Sequence, residues 1–267
     1  MSASHFLANL KSNLVQQQVY ALKKLELIVD YQWNEIADVI PQIESMVEDE
    51  NFPERSLAAK VGSKVFYHLE EYDDALRLVL EAGDRFNIND DSQYVNTLVF
   101  RALDIYIQKR QAQIDKKEEV EIDRRLEDMI NFKFEQCFTD GMFKQALGIA
   151  LETRRIDMVS KSIEKSNNTS HMLSYTYSVA LSQKNQEFRK ELLRTILQVY
   201  EKEQDGQDHD YYKIVRCQFL LDLPKETADL LERLVVSDND NDYLTAYQIG
   251  FDLVDNESQA YTGKIID

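Results

Sequence analysis

A chain of 267 residues that is 43% hydrophobic and 30% charged can bury one or two cores or an array of repeats, but seven Gly and three Pro are too few for the many tight turns of a β-sandwich or barrel. Its formal net charge of −17 repels phosphate backbones and anionic lipid, and its basic pairs, Lys23-Lys24, Lys116-Lys117, Arg124-Arg125 and Arg154-Arg155, are scattered. No nucleic acid and no membrane are expected as partners, since no run approaches the roughly 18 apolar residues of a membrane span.

Residues 1–13 show neither the basic stretch nor the continuous apolar run of a secretory signal. Cys137 and Cys217 lie far apart in half-apolar, helical surroundings, which suits buried, reduced thiols better than a disulfide framework. A cytoplasmic and nuclear setting is the expectation.

Apolar residues recur at helical spacing along the chain. Trp33, Ile36, Ile40, Ile43 and Val47 form a stripe that crosses Pro41, which has no N–H for an interior helical bond. A break is expected there, with Asp38 capping the second helix. Val95, Leu98, Val99, Ala102 and Tyr106 follow i, i+3, i+4, i+7 and i+11, and Ser92 stands at the N-cap position. Turn chemistry predicts joints at 51–53, 83–84, 87–91, 140–141, 166–170, 205–210, 223–224 and 237–242. Between them lie about a dozen helical segments, whose short joints favour antiparallel neighbours. Two longer charged runs, 111–121 and 201–210, read as solvated, flexible joints.

Three segments align without gaps, beginning Tyr72-Asp73-Asp74-Ala75-Leu76, Phe143-Lys144-Gln145-Ala146-Leu147 and Tyr243-Leu244-Thr245-Ala246-Tyr247. Each opens on an aromatic residue and places Ala three positions later, on the same helical face. A small side chain lets two backbones approach, and the aromatic ring covers the gap between the helices of a hairpin. Tetratricopeptide-type repeats use the same aromatic-x-x-Ala-Leu element, and residues 68–76 look like their helix-turn-helix junction. The expected fold is all-α: an irregular helical-hairpin solenoid, a tetratricopeptide-like α-α superhelix, forming one rod-shaped unit over 1–267.

No catalytic or cofactor motif stands. His5, His68, His171 and His209 are widely separated, with no H-E-x-x-H or C-x-x-C to bind a metal. Asp238 to Asp242 begins like a calcium loop, but Tyr243 replaces the required Gly and Ile249 the bidentate Glu. Gly62-Ser63-Lys64 lacks the earlier Gly of a phosphate loop and lies within a helical stretch. The pairs Glu70-Glu71 and Asp73-Asp74 have no specificity for acid-base work in so acidic a chain. An enzyme is not expected, and neither is any cofactor or metal.

In order, Tyr20-Ala21-Leu22-Lys23-Lys24-Leu25, Trp33-Asn34-Glu35-Ile36, Glu48-Asp49-Glu50, residues 63–76, Ala82-Gly83-Asp84, Tyr94-Val95, residues 145–157 and residues 246–253 resemble one family over essentially the whole chain. It is the amino-terminal region of the large non-ATPase scaffold subunits, regulatory subunit 1, of the 26S proteasome regulatory particle. The resemblance implies a non-catalytic scaffold in ubiquitin-dependent protein degradation, with other regulatory-particle subunits as partners: ATPases, lid subunits, and ubiquitin receptors through parts absent here. It also implies that the chain is the amino-terminal part of a longer one. A free-standing tetratricopeptide-like adaptor and a coat-type helical platform remain the alternatives from the residues alone.

Overall fold

The computed structural model describes residues 3–202, 210–255 and 259–266. Among them are fifteen α-helices and no strand. The chain divides into two compact units, Met1–Glu135 and Gln136–Asp267, with the division inside helix α7 (Arg124–Thr139).

Unit 1 holds α1 (Ser4–Leu10), α2 (Val15–Ala37), α3 (Ile40–Glu48), α4 (Arg55–His68), α5 (Tyr72–Ala82) and α6 (Gln93–Asp115), with a 3-10 turn at Gly83–Arg85. Its centre is α4, which packs against α2, α3 and α5. Enclosure on several sides explains why Leu57, Ala58, Ala59, Val61, Gly62, Ser63, Val65 and Phe66 are all buried, rather than one narrow stripe. Small side chains at 58, 59, 62 and 63 let the neighbours come close. A Cβ on Gly62 would sit 2.8 Å from Leu78 Cδ1 and 3.2 Å from Ile43 Cγ2, so two helices meet α4 at that residue.

The one buried polar group in this region of α4 is fully used. Ser63 Oγ donates to the Ala75 carbonyl at 2.7 Å and lies 2.9 Å from Tyr94 Oη. Since the single Ser63 proton goes to Ala75, the Tyr94 hydroxyl donates to Ser63. Burial pushes the Tyr94 pKa up, so the phenol stays protonated and keeps that role.

The stripe across Pro41 breaks as the sequence predicts: α2 ends at Ala37, and α3 starts at Ile40 with Pro41 in its first turn. Asp38 does not cap it. The N-cap position is Val39, which is 1% exposed, so core burial of an apolar side chain sets the entry of α3 instead of a hydrogen bond. Ser92 does cap α6, accepting from the Val95 N–H at 3.4 Å. The run 111–121 is partly helix, because α6 continues to Asp115, and Gln113 and Lys109 then donate to the carbonyls of Val120 and Glu121. Of the run 201–210, α11 includes residues 201–202 and Asp210 caps α12, while 203–209 lie outside the described residues.

Unit 2 follows α7 with α8 (Phe143–Glu152), α9 (Ile156–Glu164), α10 (Thr169–Ser182), α11 (Gln186–Lys202), α12 (Tyr211–Leu220), α13 (Pro224–Val236), α14 (Asp240–Asp255) and α15 (Gln259–Ile266). Helices pack against the next and the next but one: α9 on α10 and α11, α12 on α13 and α14, α13 on α14 and α15. That pattern is the packing of a helical-hairpin solenoid, in which each pair leaves a face for its successor.

Four joints share one geometry. Glu70, Gly141, Arg154 and Asp222 have φ of 63°, 70°, 58° and 55°. In each, the following N–H reaches five residues back: Glu71 to Phe66, Met142 to Cys137, Arg155 to Ala150 and Leu223 to Gln218. These are Schellman turns, which satisfy the last carbonyls of a helix, and in all four the next helix begins two residues after the left-handed one.

The close approach at Gly62 can be tested against an open glycine. Gly148 also lies inside a helix, but a Cβ there meets nothing within 4 Å. Gly148→Ala is expected to stabilise by about 0.5–1 kcal/mol through helix propensity. Gly62→Ala forfeits that gain by pushing on Leu78 and Ile43, and should fall about 1 kcal/mol or more below Gly148→Ala in urea denaturation.

Candidate interaction surfaces

The aligned repeat residues occupy comparable places in two of the three copies. Tyr72 and Phe143 open α5 and α8 directly after a Schellman turn and are half-buried, while Ala75, Leu76, Ala146 and Leu147 are buried. In the third copy Ala246 is buried, but Tyr243 and Tyr247 are 42% and 49% exposed and pair with each other, hydroxyl to hydroxyl at 3.2 Å. No left-handed residue precedes α14. Asn239 begins it instead, its carbonyl accepting from Asp242 and Tyr243 and its side chain from Asn241. The calcium-like run Asp238 to Asp242 thus lies at a helix start, with Ser237 Oγ donating to Asp242.

Counting five residues from each left-handed turn gives Ala75, Ala146, Val159 and Thr227, all 0% exposed. Two of these, in α9 and α13, have no aromatic-x-x-Ala signal, because Ile156 and Pro224 open those helices. Sequence reasoning missed the joint at 153–155 for the same reason: Arg154 holds a left-handed φ without being Gly or Asn. The joints at 12–14 and 183–185 also lack Gly and Pro. At these joints the Ser12 side chain accepts from the Leu14 N–H, and that of Asn185 from the N–H groups of Glu187 and Phe188.

Residues weighed for chemistry have structural tasks. Gly62 and Ser63 serve the α4 contacts, and Lys64 Nζ is 2.6 Å from Asp30 Oδ2. The His68 ring stacks on Trp33 at 5.9 Å, with Nε2 3.5 Å from Asp30. His5 and His171 lie on α1 and α10, and His209 is outside the described residues. Glu70 forms a turn; Asp73 receives two hydrogen bonds from Arg101, at 2.6 and 2.9 Å, which hold its carboxyl below the ordinary range. Cys137 and Cys217 are buried free thiols, and burial pushes Cys217 up to about 12. Among the described residues no group of three or more His, Cys, Asp or Glu could hold a metal, and no helix is long and apolar enough to cross a membrane.

What the surface offers instead is apolar. On α2, Tyr20, Leu27 and Tyr31 are exposed at i, i+7 and i+11; on α14, Tyr243, Tyr247, Phe251 and Val254 are exposed at i, i+4, i+8 and i+11. Seams at such spacing are the kind that pack against another helix.

The repeat carries its own test. Ala146→Leu inserts three carbons where the native residue is fully buried, at an expected cost of about 1–3 kcal/mol. Lys144→Ala removes an exposed side chain of the same turn and should stay within about 0.5 kcal/mol of wild type. Hydrogen exchange should show opening concentrated on Phe143 to Leu151 in the first variant and unchanged protection in the second.

Comparison with known proteins assigns the chain. The family described as "26S proteasome subunit RPN2, N-terminal domain" matches residues 1–267. "26S proteasome non-ATPase regulatory subunit 1 homolog B" of Arabidopsis thaliana is 42% identical over 100% of this chain and 27% of its own length. "26S proteasome non-ATPase regulatory subunit 1" of Drosophila melanogaster is 40% identical over 99% of this chain and 26% of its own length. "26S proteasome regulatory subunit RPN2" of Saccharomyces cerevisiae is 31% identical over 97% and 28%. The chain therefore spans about a quarter of the length of the curated relatives it matches. With the match unbroken from the first residue to the last, the chain belongs to the family of the amino-terminal domain of the 26S proteasome subunit RPN2.

Proposed function

We propose that the protein acts as a non-catalytic scaffold of the 26S proteasome regulatory particle, holding other subunits in place for ubiquitin-dependent degradation. The observation that carries this reading is the match of the whole chain to a family named for a proteasome subunit. Relatives carry the name of regulatory subunits, and this chain's weighed polar residues are spent on packing and helix joints. Its aromatic-x-x-Ala elements, Tyr72, Ala75, Leu76, Phe143, Ala146, Leu147, Tyr243, Ala246 and Tyr247, act as its structural repeat. Its partners are the ATPases and lid subunits of the regulatory particle, with ubiquitin receptors held by parts of the longer protein, in cytoplasm and nucleus.

A free-standing peptide-binding adaptor would place matching clamp residues at equivalent positions of each repeat. Here Asp73 is engaged by Arg101, Lys144 points to solvent, and Thr245 Oγ1 donates to its own helix at Asn241, so the copies share no such chemistry.

Two measurements test the proposal. The tagged protein should co-sediment with proteasomal ATPases and lid subunits at physiological salt; recovery of chaperones or coat proteins without proteasome subunits overturns the assignment. ATP-Mg²⁺, Zn²⁺ and Ca²⁺ should leave the melting temperature unchanged, since a ligand that binds only the native state raises it by mass action.

A further inference from the structure

Helix α2 is apolar on two sides. Ala21, Leu22, Leu25 and Val29 are buried, where α2 packs on α1 and α4. On the outer side Tyr20, Leu27 and Tyr31 are 50%, 70% and 86% exposed, and Tyr31 is the most exposed large apolar side chain among the described residues. A surface helix with one packing task carries polar residues opposite its buried stripe, so the second stripe is not spent on the core of unit 1.

The outer residues fall into a coiled-coil register. With Tyr20 and Leu27 at d positions, Tyr31 falls at an a position, and the a position between the first two is Lys24. The seam runs for about 16 Å and ends before Gln32, where φ of −125° and ψ of 26° interrupt the helix, so its three turns are straight. Of the charged residues between Tyr20 and Tyr31, Lys23 pairs with Glu54 at 3.4 Å, Glu26 with Lys60 at 2.8 Å and Asp30 with Lys64 at 2.6 Å. Lys24 forms no ion pair among the described residues. Its Nζ lies 5.6 Å from the centre of the Tyr20 ring, so the side chain is laid along the seam.

A charge at an a position restricts which helix can pair with the seam. A partner with Leu opposite Lys24 would cover the ammonium without answering it, and one with a base would repel it. A carboxylate meets it in a charge-assisted hydrogen bond and leaves the apolar neighbours free to pack. A second copy of the chain suits the seam poorly: two chains of net charge −17 repel each other, and parallel α2 helices would set Lys24 against Lys24.

We infer that the outer face of α2 receives an amphipathic helix of a partner protein, which packs large apolar side chains around Leu27 and Tyr31 and sets one Asp or Glu beside Lys24. The inference holds whichever assembly the protein joins.

The test uses the 267-residue chain and two labelled helical peptides of about 18 residues, or five turns, identical in composition and with Leu at the a and d positions. The first carries Glu at its central a position; the second exchanges that Glu with an outward Lys. Fluorescence anisotropy should show saturable binding of the first and about tenfold weaker binding of the second. Lys24→Glu should exchange this preference, a reversal that general attraction between a basic peptide and an acidic chain does not produce. Leu27→Ala and Tyr31→Ala should each weaken the first peptide by about tenfold without lowering the melting temperature, since both side chains are mostly exposed. The inference is overturned if neither peptide binds saturably, if Lys24→Glu leaves the preference unchanged, or if either Ala variant binds as wild type. Dimers that form with rising concentration and dissociate in Leu27→Ala would make the seam a contact between copies. A full-length protein that fails to bind the first peptide would make it a contact within one chain, and each of these results also overturns the partner helix.

Discussion

How closely a helix can approach α4 decides the form of unit 1. Helices usually keep 8–10 Å apart because their side chains intervene, and small residues are what shorten that distance. On α4 they come as Ala58-Ala59 and Gly62-Ser63, one turn apart, and both pairs are buried. Leu78 of α5 and Ile43 of α3 press into the space a Cβ at Gly62 would occupy. The gain is dispersion contact and excluded water along α4; the cost is a glycine in a helix interior, about 1 kcal/mol of propensity. Close approach also brings the Ala75 carbonyl within reach of Ser63, and a hydroxyl in a dry contact is tolerable only because Ser63 and Tyr94 satisfy each other.

The joints follow a second constraint. A Schellman turn places one residue at positive φ, and outside glycine this costs roughly 1–2 kcal/mol. Of the four Schellman turns, those at Glu70, Arg154 and Asp222 accept that cost, and the one at Gly141 avoids it. Two hydrogen bonds close each turn and satisfy carbonyls that would otherwise be left unpaired. Fixed spacing after the turn then delivers a fully buried side chain at the fifth residue, whether Ala, Val or Thr. The turn geometry, more than the aromatic-x-x-Ala motif, is what recurs in this fold.

Charge plays a smaller part. The acidic surface is laced with ion pairs such as Lys60–Glu26, Arg85–Glu54 and Lys202–Glu164, but exposed pairs contribute only about 0–1 kcal/mol each. Their value lies in orienting helices, as where Arg101 of α6 grips Asp73 of α5. The energy of both units resides in apolar burial, and Tyr20, Leu27 and Tyr31 on α2 and Phe251 and Val254 on α14 are apolar residues left exposed.

The class of fold was legible in the chain, because 3.6-residue periodicity with scarce Gly and Pro favours helices on short links over strands on tight turns. The sequence also determined Ser92 as a cap and Pro41 as a break, since each rests on the local chemistry of one residue. The family was legible for another reason: ordered blocks over 267 residues carry far more information than any single motif. The packed structure added that α3 is entered through Val39, that Arg154 is a turn, that the joint expected at 223–224 turns through a left-handed Asp222, and that Thr227 and Val159 stand in register with Ala75 and Ala146. A left-handed residue without glycine is imposed by the packing of the helices it joins and leaves no local signature.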